Sequence, residues 1–134
     1  MANIEDIEGI GSVNATKLRA IGISTVEKLL EKGATRSGRQ EIVETTGARD
    51  AQVLRWVNHA DLYRIKGVGA EFAELLEAAG VDSVPELAQR NAANLQKAMA
   101  EKNEEKKLTR RVPSESMVTD WVAEAKTLGR AVSH

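Results

Sequence analysis

Apolar residues recur along the chain at steps of three and four, which places them on one face of a helix. Two blocks share this spacing and lie 65 residues apart (118 minus 53): Val53, Trp56, Val57 and Ala60, and Val118, Trp121, Val122 and Ala125. No block alternates apolar and polar residues as a half-buried strand would. The hydrophobic pattern therefore predicts an all-α fold.

Capping residues and glycines mark the expected helix ends. In the first half the expected elements are a short helix from Asn3 through Glu8 and a helix that Ser12 opens, that continues to Ala20 and that Gly22 stops. They are followed by a helix from a capping box at residues 24–27 to Gly33, a polar link at residues 35–38, a fourth helix up to Gly47 and a fifth directly after it. In the second half Asp61 is expected to cap the first element of the second repeat, and a helix over 71–79 is expected to stop at Gly80. The remaining expected elements are a helix capped by Asp82 with Pro85 in its first turn, a helix over 91–107 and a last helix capped by Ser114.

One segment of the chain occurs twice. Ile7-Glu8-Gly9-Ile10-Gly11-Ser12 is matched 58 residues later by Ile65-Lys66-Gly67-Val68-Gly69-Ala70. The same offset aligns Ala15 with Ala73, Leu18 with Leu76, Gly22 with Gly80 and Leu29 with Leu87. We interpret the chain as two repeats, residues 1–60 and 61–134, that pack as one compact unit. Each repeat ends in a Trp-bearing helix whose indole is expected to anchor the core.

We call residues 7–12 the first hairpin and residues 65–70 the second hairpin. In each, the two glycines are expected to allow a turn too tight for a Cβ atom. The apolar residue between them, Ile10 or Val68, is expected to point into the core. The glycines could serve this turn alone, or the turn could also present backbone groups to an anion, and the pattern leaves both interpretations open.

Composition sets few limits on function. The 134 residues carry 19 basic and 20 acidic side chains, a net charge of −1, so any attraction to nucleic acid must be local. The absence of cysteine excludes disulfides and thiolate metal sites. No apolar run approaches the roughly 20 residues of a membrane span. The acidic start lacks the features of a signal peptide, and we expect a soluble, cytoplasmic protein.

The segments Ile7-x-Gly9-Ile10-Gly11-x-x-x-Ala15-x-x-Leu18 and Ile65-x-Gly67-Val68-Gly69-x-x-x-Ala73-x-x-Leu76 resemble helix-hairpin-helix motifs. Over nearly its full length the chain also resembles a small, uncharacterised bacterial family of stand-alone duplicated helix-hairpin-helix proteins. The resemblance implies two tandem repeats, each a SAM-like helical bundle extended by further helices. In such proteins the hairpin amides and the start of the following helix bind a DNA phosphate without reading bases.

The resemblance also implies site residues. The backbone amides expected to bind phosphate belong to Gly9, Gly11, Val13 and Asn14, and to Gly67, Gly69, Glu71 and Phe72. With the neighbouring side chains, the candidate nucleic-acid contacts are Gly9, Ile10, Gly11, Ser12, Val13, Asn14, Lys17, Arg19, Arg64, Lys66, Gly67, Val68 and Gly69. A monovalent cation, K⁺ or Na⁺, would sit on the carbonyls of Glu5, Ile7 and Ile10, or of Tyr63, Ile65 and Val68. No other cofactor is expected.

The charges differ between the two hairpins. Glu71, Glu74 and Glu77 follow the second hairpin and would repel phosphate, whereas Lys17 and Arg19 follow the first. The first hairpin is therefore the stronger candidate. The order is reversed before the hairpins, where the first has Asp6 and Glu8 and the second has Arg64 and Lys66. Surfaces of opposite sign could also pair within the molecule or between copies.

Other candidate chemistry is sparse. His59 and His134 are the only histidines, which gives a metal site or catalytic triad little basis. The basic stretch at residues 97–111 is interleaved with glutamates, which favours a solvated helix face, and it ranks as a second-choice contact region. Lys66 beside Gly67 would suit a small DNA lyase only if it were buried enough to lose its proton.

The leading hypothesis is a non-catalytic module that binds nucleic-acid backbone weakly, without sequence preference, mainly through the first hairpin. It predicts salt-sensitive binding that a Lys17→Glu, Arg19→Glu variant loses. The alternative is a protein-interaction or self-assembling adaptor with the same helical fold. A small lyase ranks third.

Overall fold

Helix caps and glycine stops divide residues 2–133, the part of the chain that the computed structural model describes, into eight α-helices. The predicted all-α fold is confirmed, and the one β-type contact in this part is an isolated bridge between Asn3 and Thr25. The helices are α1 (Gly11–Ala20), α2 (Val26–Gly33), α3 (Arg36–Thr46), α4 (Asp50–Leu62), α5 (Ala70–Ala78), α6 (Val84–Ala88), α7 (Ala92–Lys106) and α8 (Glu115–Leu128). None of these helices combines the length and apolar character that a membrane span requires.

Side-chain caps start five of the helices. In each case the side-chain oxygen accepts a backbone N–H three residues later, which stabilises the helix by about 1 kcal/mol. The caps are Thr25 on Lys28 at 3.2 Å, Thr35 on Gly38 at 3.1 Å, Ser83 on Glu86 at 3.4 Å, Asn91 on Asn94 at 3.0 Å and Ser114 on Met117 at 3.1 Å. The predicted cap at Ser114 is confirmed. Thr25 and Ser83 cap their helices in place of Ser24 and Asp82.

Two predicted element starts are wrong. The expected helix from Asn3 through Glu8 is only a 3₁₀ turn at Ile4–Asp6, because Ile7 adopts an extended conformation with ψ of 124°. Asp61 does not cap a new helix, since α4 continues through it to Leu62 and the side chain is fully buried. The helix break predicted before Asp61, at the start of the second repeat, is therefore absent, since α4 runs through this position.

The polar link expected at residues 35–38 is also wrong, because α3 begins at Arg36. Gly38 lies inside this helix and is buried. A Cβ atom at Gly38 would collide with the carbonyl oxygen of Lys32 in α2. Glycine is needed here for the close approach of two helices and not for a loop.

The chain divides into two units. The first contains residues 2–61 and 131–133 with α1 to α4, and the second contains residues 62–130 with α5 to α8. Each has its own core of mainly aliphatic side chains, and each core includes one tryptophan, Trp56 at 1% exposure and Trp121 at 3%. The predicted role of both indoles as core anchors is confirmed.

The last described residues fold back onto the first unit. Ser133 donates its backbone N–H to the carbonyl of Ala34 at 2.8 Å, and Arg39 donates to the carbonyl of Ser133 at 2.7 Å. Val132 is buried at 3% exposure. Three residues beyond the last helix therefore complete the first unit.

Candidate nucleic-acid interface

Each hairpin has one buried apolar residue between two exposed glycines. Ile10 is 2% exposed and Val68 is 5% exposed, so both point into the core as predicted. Gly9 has a φ of +94° and Gly67 a φ of +91°, a region that other residues rarely adopt. The first glycine of each hairpin is thus required by the backbone.

The second glycines of the two hairpins, Gly11 and Gly69, differ in whether the structure requires glycine. An added Cβ would lie 3.2 Å from Arg55 Nη1 at Gly9 and 3.4 Å from Trp121 Nε1 at Gly67, but at Gly11 and Gly69 it would meet no atom within 4 Å. Gly69 also has an extended backbone, with φ −117° and ψ −158°. Gly11 has a φ of +69°, so its backbone favours glycine even though the space around it is open. At Gly69 neither packing nor φ requires glycine, and the prediction is wrong there.

The backbone hydrogen bonds of the two hairpins correspond at the offset of 58 residues. In the first hairpin Ile7 N–H donates to Ile4 and Ile10 N–H to Ile7; in the second, Ile65 N–H donates to Leu62 and Val68 N–H to Ile65. At the end of the following helix, Ile23 N–H donates to Leu18 and Val81 N–H to Leu76, both at 2.9 Å. The two segments therefore share these hydrogen bonds, although their backbones differ at the second glycine, where Gly11 has a φ of +69° and Gly69 is extended.

The amides at the tip of each hairpin are available to a ligand. Within residues 2–133, no acceptor is found for the N–H groups of Gly9, Gly11, Ser12 and Val13, nor for those of Gly67, Gly69, Ala70, Glu71 and Phe72. Asn14 is the fourth residue of α1, where pairing within the helix begins. Most of these residues are exposed, and Val13 is 67% exposed. Unpaired amides at the positive end of a helix favour an anion.

Two of the carbonyls implied for a monovalent cation, those of Ile7 and Ile65, already accept a backbone hydrogen bond. Ile7 accepts from Ile10 N–H at 3.3 Å, and Ile65 accepts from Val68 N–H at 3.1 Å. Each carbonyl has a second lone pair. A cation at these positions would share Ile7 or Ile65 with the hydrogen bond that closes the turn.

The two basic residues predicted beside the first hairpin are engaged elsewhere. Arg19 forms an ion pair with Glu5. Lys17 donates from Nζ to the carbonyl of Thr46, at the end of α3, at 3.4 Å. Neither side chain is brought to the hairpin amides by a contact in the structure.

Arg55, which the sequence analysis did not select, lies at the first hairpin. Its Nη1 donates to the Glu8 carbonyl at 3.5 Å and is the nearest atom to a Cβ placed on Gly9. Arg55 directly precedes Trp56, and the residue before Trp121 is Asp120. Aligning the two Trp blocks reveals the change from arginine to aspartate. Only the tertiary structure shows that Arg55 lies at a hairpin.

At the second hairpin, carboxylates lie beside the backbone and at the start of the following helix. Glu124 of α8 accepts the backbone N–H of Lys66 at 3.0 Å, so that donor is occupied. Arg64, a predicted contact, donates instead to the carbonyls of Leu128 and Gly129 at 2.9 and 3.0 Å, at the end of α8. The Lys66 side chain is exposed. With Glu71 at the start of α5, the local charge disfavours a phosphate.

Two arginines of the second-choice basic stretch lie next to α5. Arg110 and Arg111 line a pocket together with Glu71 and Phe72. The loop that carries them is held by reciprocal bonds between Asn103 and Thr109, at 2.9 and 3.1 Å. This loop places two cations on the side of α5 that bears Glu71.

The histidine positions offer no assembled metal site. His59 is 1% exposed, and His134 lies outside the described residues. Among residues 2–133, no cluster of three or more His, Asp or Glu side chains could hold a metal ion.

Comparison with known proteins yields one match. Neither a curated protein nor a solved structure matches the chain. Residues 8–128, which include all eight α-helices, the second hairpin and all of the first except Ile7, match the domain of unknown function DUF4332. The chain belongs to the DUF4332 family.

Proposed function

We propose that this protein is a non-catalytic, tandem helix-hairpin-helix module that binds nucleic-acid backbone weakly and without sequence preference, mainly through the first hairpin. The observation that carries the proposal is the set of amides at Gly9, Gly11, Ser12 and Val13, which belong to exposed residues and lack acceptors among residues 2–133, with the Arg55 guanidinium beside Gly9. Amides fix a phosphate in place without reading a base. The resulting affinity should be low, because few cations surround the site.

The matched hydrogen bonds of the two hairpins support the duplicated helix-hairpin-helix interpretation. The units differ in charge, however, since Arg55 and Val13 in the first correspond to Asp120 and Glu71 in the second. A carboxylate at the start of the helix competes with a phosphate for the same positive helix end. We therefore assign the primary contact to the first hairpin and an auxiliary role to Arg110 and Arg111.

Fluorescence anisotropy with labelled duplex and single-stranded DNA at low salt tests this assignment. Val13→Glu introduces into the first hairpin the carboxylate that Glu71 provides in the second. Because Val13 is 67% exposed, the variant should fold normally. It should lose most of the binding, and the wild-type affinity should fall steeply as salt is raised.

Ala93→Glu is the matched control, since it adds the same charge at an exposed position in the first turn of α7. It should bind as the wild type does. Equal affinities for Val13→Glu and Ala93→Glu would contradict the assignment of the first hairpin. Tight binding that is insensitive to salt would contradict contact with the backbone altogether.

A second candidate function, protein interaction or self-association, is favoured by the carboxylates at the second hairpin. Glu71 is exposed, and Glu124 already binds the hairpin backbone at Lys66. Such a surface suits a cationic partner, including the basic face of another copy. Light scattering over a range of concentration and salt distinguishes the versions, because a monomer under all conditions excludes self-assembly.

A further inference from the structure

A pocket in the first unit lies outside the hairpins. It has a volume of about 360 Å³ and is lined by Arg36, Arg39, Gln40, Asp50 and Leu54. The first three residues come from the first turns of α3 and the last two from those of α4. Small-molecule pockets start at roughly 300 Å³, so this one is large enough for a small ligand.

Arg39 is a buried cation at this pocket, with 9% exposure. Its Nη1 donates to the carbonyls of Gly33 and Ala34 at 2.8 and 3.4 Å, and its Nη2 to Ser133 at 2.7 Å. A guanidinium has five N–H donors, so these three bonds leave two unused. All three acceptors are neutral, and within residues 2–133 Arg39 forms no ion pair.

Among the described residues Arg39 has no counter-ion, and a bound anion would add the charge–charge attraction that its carbonyl partners do not supply. Arg36 adds a second cation at the pocket. It is exposed and, among the described residues, has no ion pair or side-chain hydrogen bond. The first turns of α3 and α4 both contribute to the lining, and their positive ends favour an anion in the same place.

The remaining lining residues indicate what the rest of such a ligand contains. The Asp50 carboxylate accepts hydrogen bonds and would hold a hydroxyl or amino group. The Gln40 amide both donates and accepts. Leu54 offers an apolar contact for a carbon skeleton.

We propose that this pocket binds a small hydroxylated organic anion, whose phosphate or carboxylate group is held by Arg36 and Arg39 and whose hydroxyl groups contact Asp50 and Gln40. The site needs no nucleic acid and does not depend on the hairpins. Because Arg39 also donates a hydrogen bond to the carbonyl of Ser133, ligand binding should change the chemical environment of the residues that follow α8.

The test is a titration of the ¹⁵N-labelled protein by two-dimensional NMR, with ribose 5-phosphate as the phosphate probe, tartrate as the carboxylate probe and ribose as the uncharged comparison. Saturable shifts are expected for the amides of residues 36–40, 50–54 and Ser133 with at least one anion and not with ribose. The probe that gives the lower Kd identifies the preferred anionic group.

Arg36→Ala should weaken binding about tenfold or more, as expected for loss of a charged hydrogen bond. Arg49→Ala is the control, because it removes the same charge from an exposed position of the same unit that does not line the pocket. Equal effects of the two variants, equal shifts with ribose, or no saturable shift at residues 36–40 would overturn the proposal. Chemical-shift changes confined to residues 9–14 would also overturn the pocket proposal, but they would agree with an anion contact at the first hairpin.

Discussion

Arg39 donates its Nη2 to the carbonyl oxygen of Ser133 across 94 positions of sequence. The same guanidinium reaches the carbonyls of Gly33 and Ala34, so a single buried side chain joins the α2–α3 junction to the residues that follow α8. Nothing in the local sequence marks Arg39 for this role. We expect the residues at this contact to stabilise the first unit.

Deletion of residues 131–134 should therefore destabilise the protein. Burial of Val132 alone contributes about 2 kcal/mol, and the deletion also removes the acceptor of Arg39 Nη2. The free energy of unfolding, measured in urea, should fall by at least that amount. Val132→Ala should reproduce part of the loss, and an unchanged unfolding midpoint for the deletion would show that the contact with Ala34 contributes nothing.

The glycines of the hairpins should separate into two classes. Gly9→Ala should cost roughly 1–2 kcal/mol, because alanine is strained at a φ of +94°. Gly67→Ala should cost a similar amount. Gly69→Ser should be neutral or stabilising, since that residue is extended, has open space around its Cβ position and precedes a helix that serine caps well. Thermal unfolding of the three variants checks this order.

Gly69→Ser is also informative for binding. If the second hairpin contacts a phosphate through close approach of its backbone, the variant should keep its stability and lose the contribution of that hairpin. A stability loss as large as that of Gly67→Ala would contradict the geometry of the second hairpin.

Gly38→Ala should be among the most damaging single changes in α3. Its methyl group would collide with the carbonyl of Lys32, which is backbone and cannot rotate away. Overpacking of this kind costs roughly 1–3 kcal/mol. Ser37→Ala, at the exposed neighbouring position, is the control and should change the unfolding midpoint little. Equal midpoints for the two variants would show that α2 and α3 can move apart without cost.

A gain of binding should follow from Asp120→Arg combined with Glu71→Val. These changes give the second hairpin the residues that the first has at the aligned positions, Arg55 and Val13. DNA affinity at low salt should rise, and its dependence on salt should steepen by about one ion per added phosphate contact. Anisotropy measurements on the double variant and on each single variant show whether the effects add. An affinity no higher than that of the wild type would indicate that the second hairpin is unable to reach a phosphate.

Helix positions were predicted best where the chain carries its own local signal. Ser114 has the side chain that its helix start needs, and Gly47 has the left-handed φ of +76° that a helix end favours. Predictions were wrong where a distant contact decides the conformation. Gly38 was expected in a link because glycine is common in loops, but its small size permits contact with α2. Asp61 was expected as a cap, but burial keeps it within α4.

The candidate interface shows the same division. The exposed hairpin amides follow from the local pattern of glycines, whereas the charges around them depend on which helix packs nearby. Lys17 and Arg19 are close to the first hairpin in sequence but bind Thr46 and Glu5. Arg55 is far away in sequence and lies against Gly9. Spacing along one helix does not reveal a neighbour contributed by another.

The matched backbone bonds at residues 7–10 and 65–68 have a consequence for how such a protein can change. Main-chain bonds hold each bend, so the side chains around it can be exchanged without loss of the bend itself. Substitutions could then change the charge around one hairpin without altering the backbone of either hairpin. Charge substitutions around one hairpin would change the electrostatic potential there and leave its backbone donors in place.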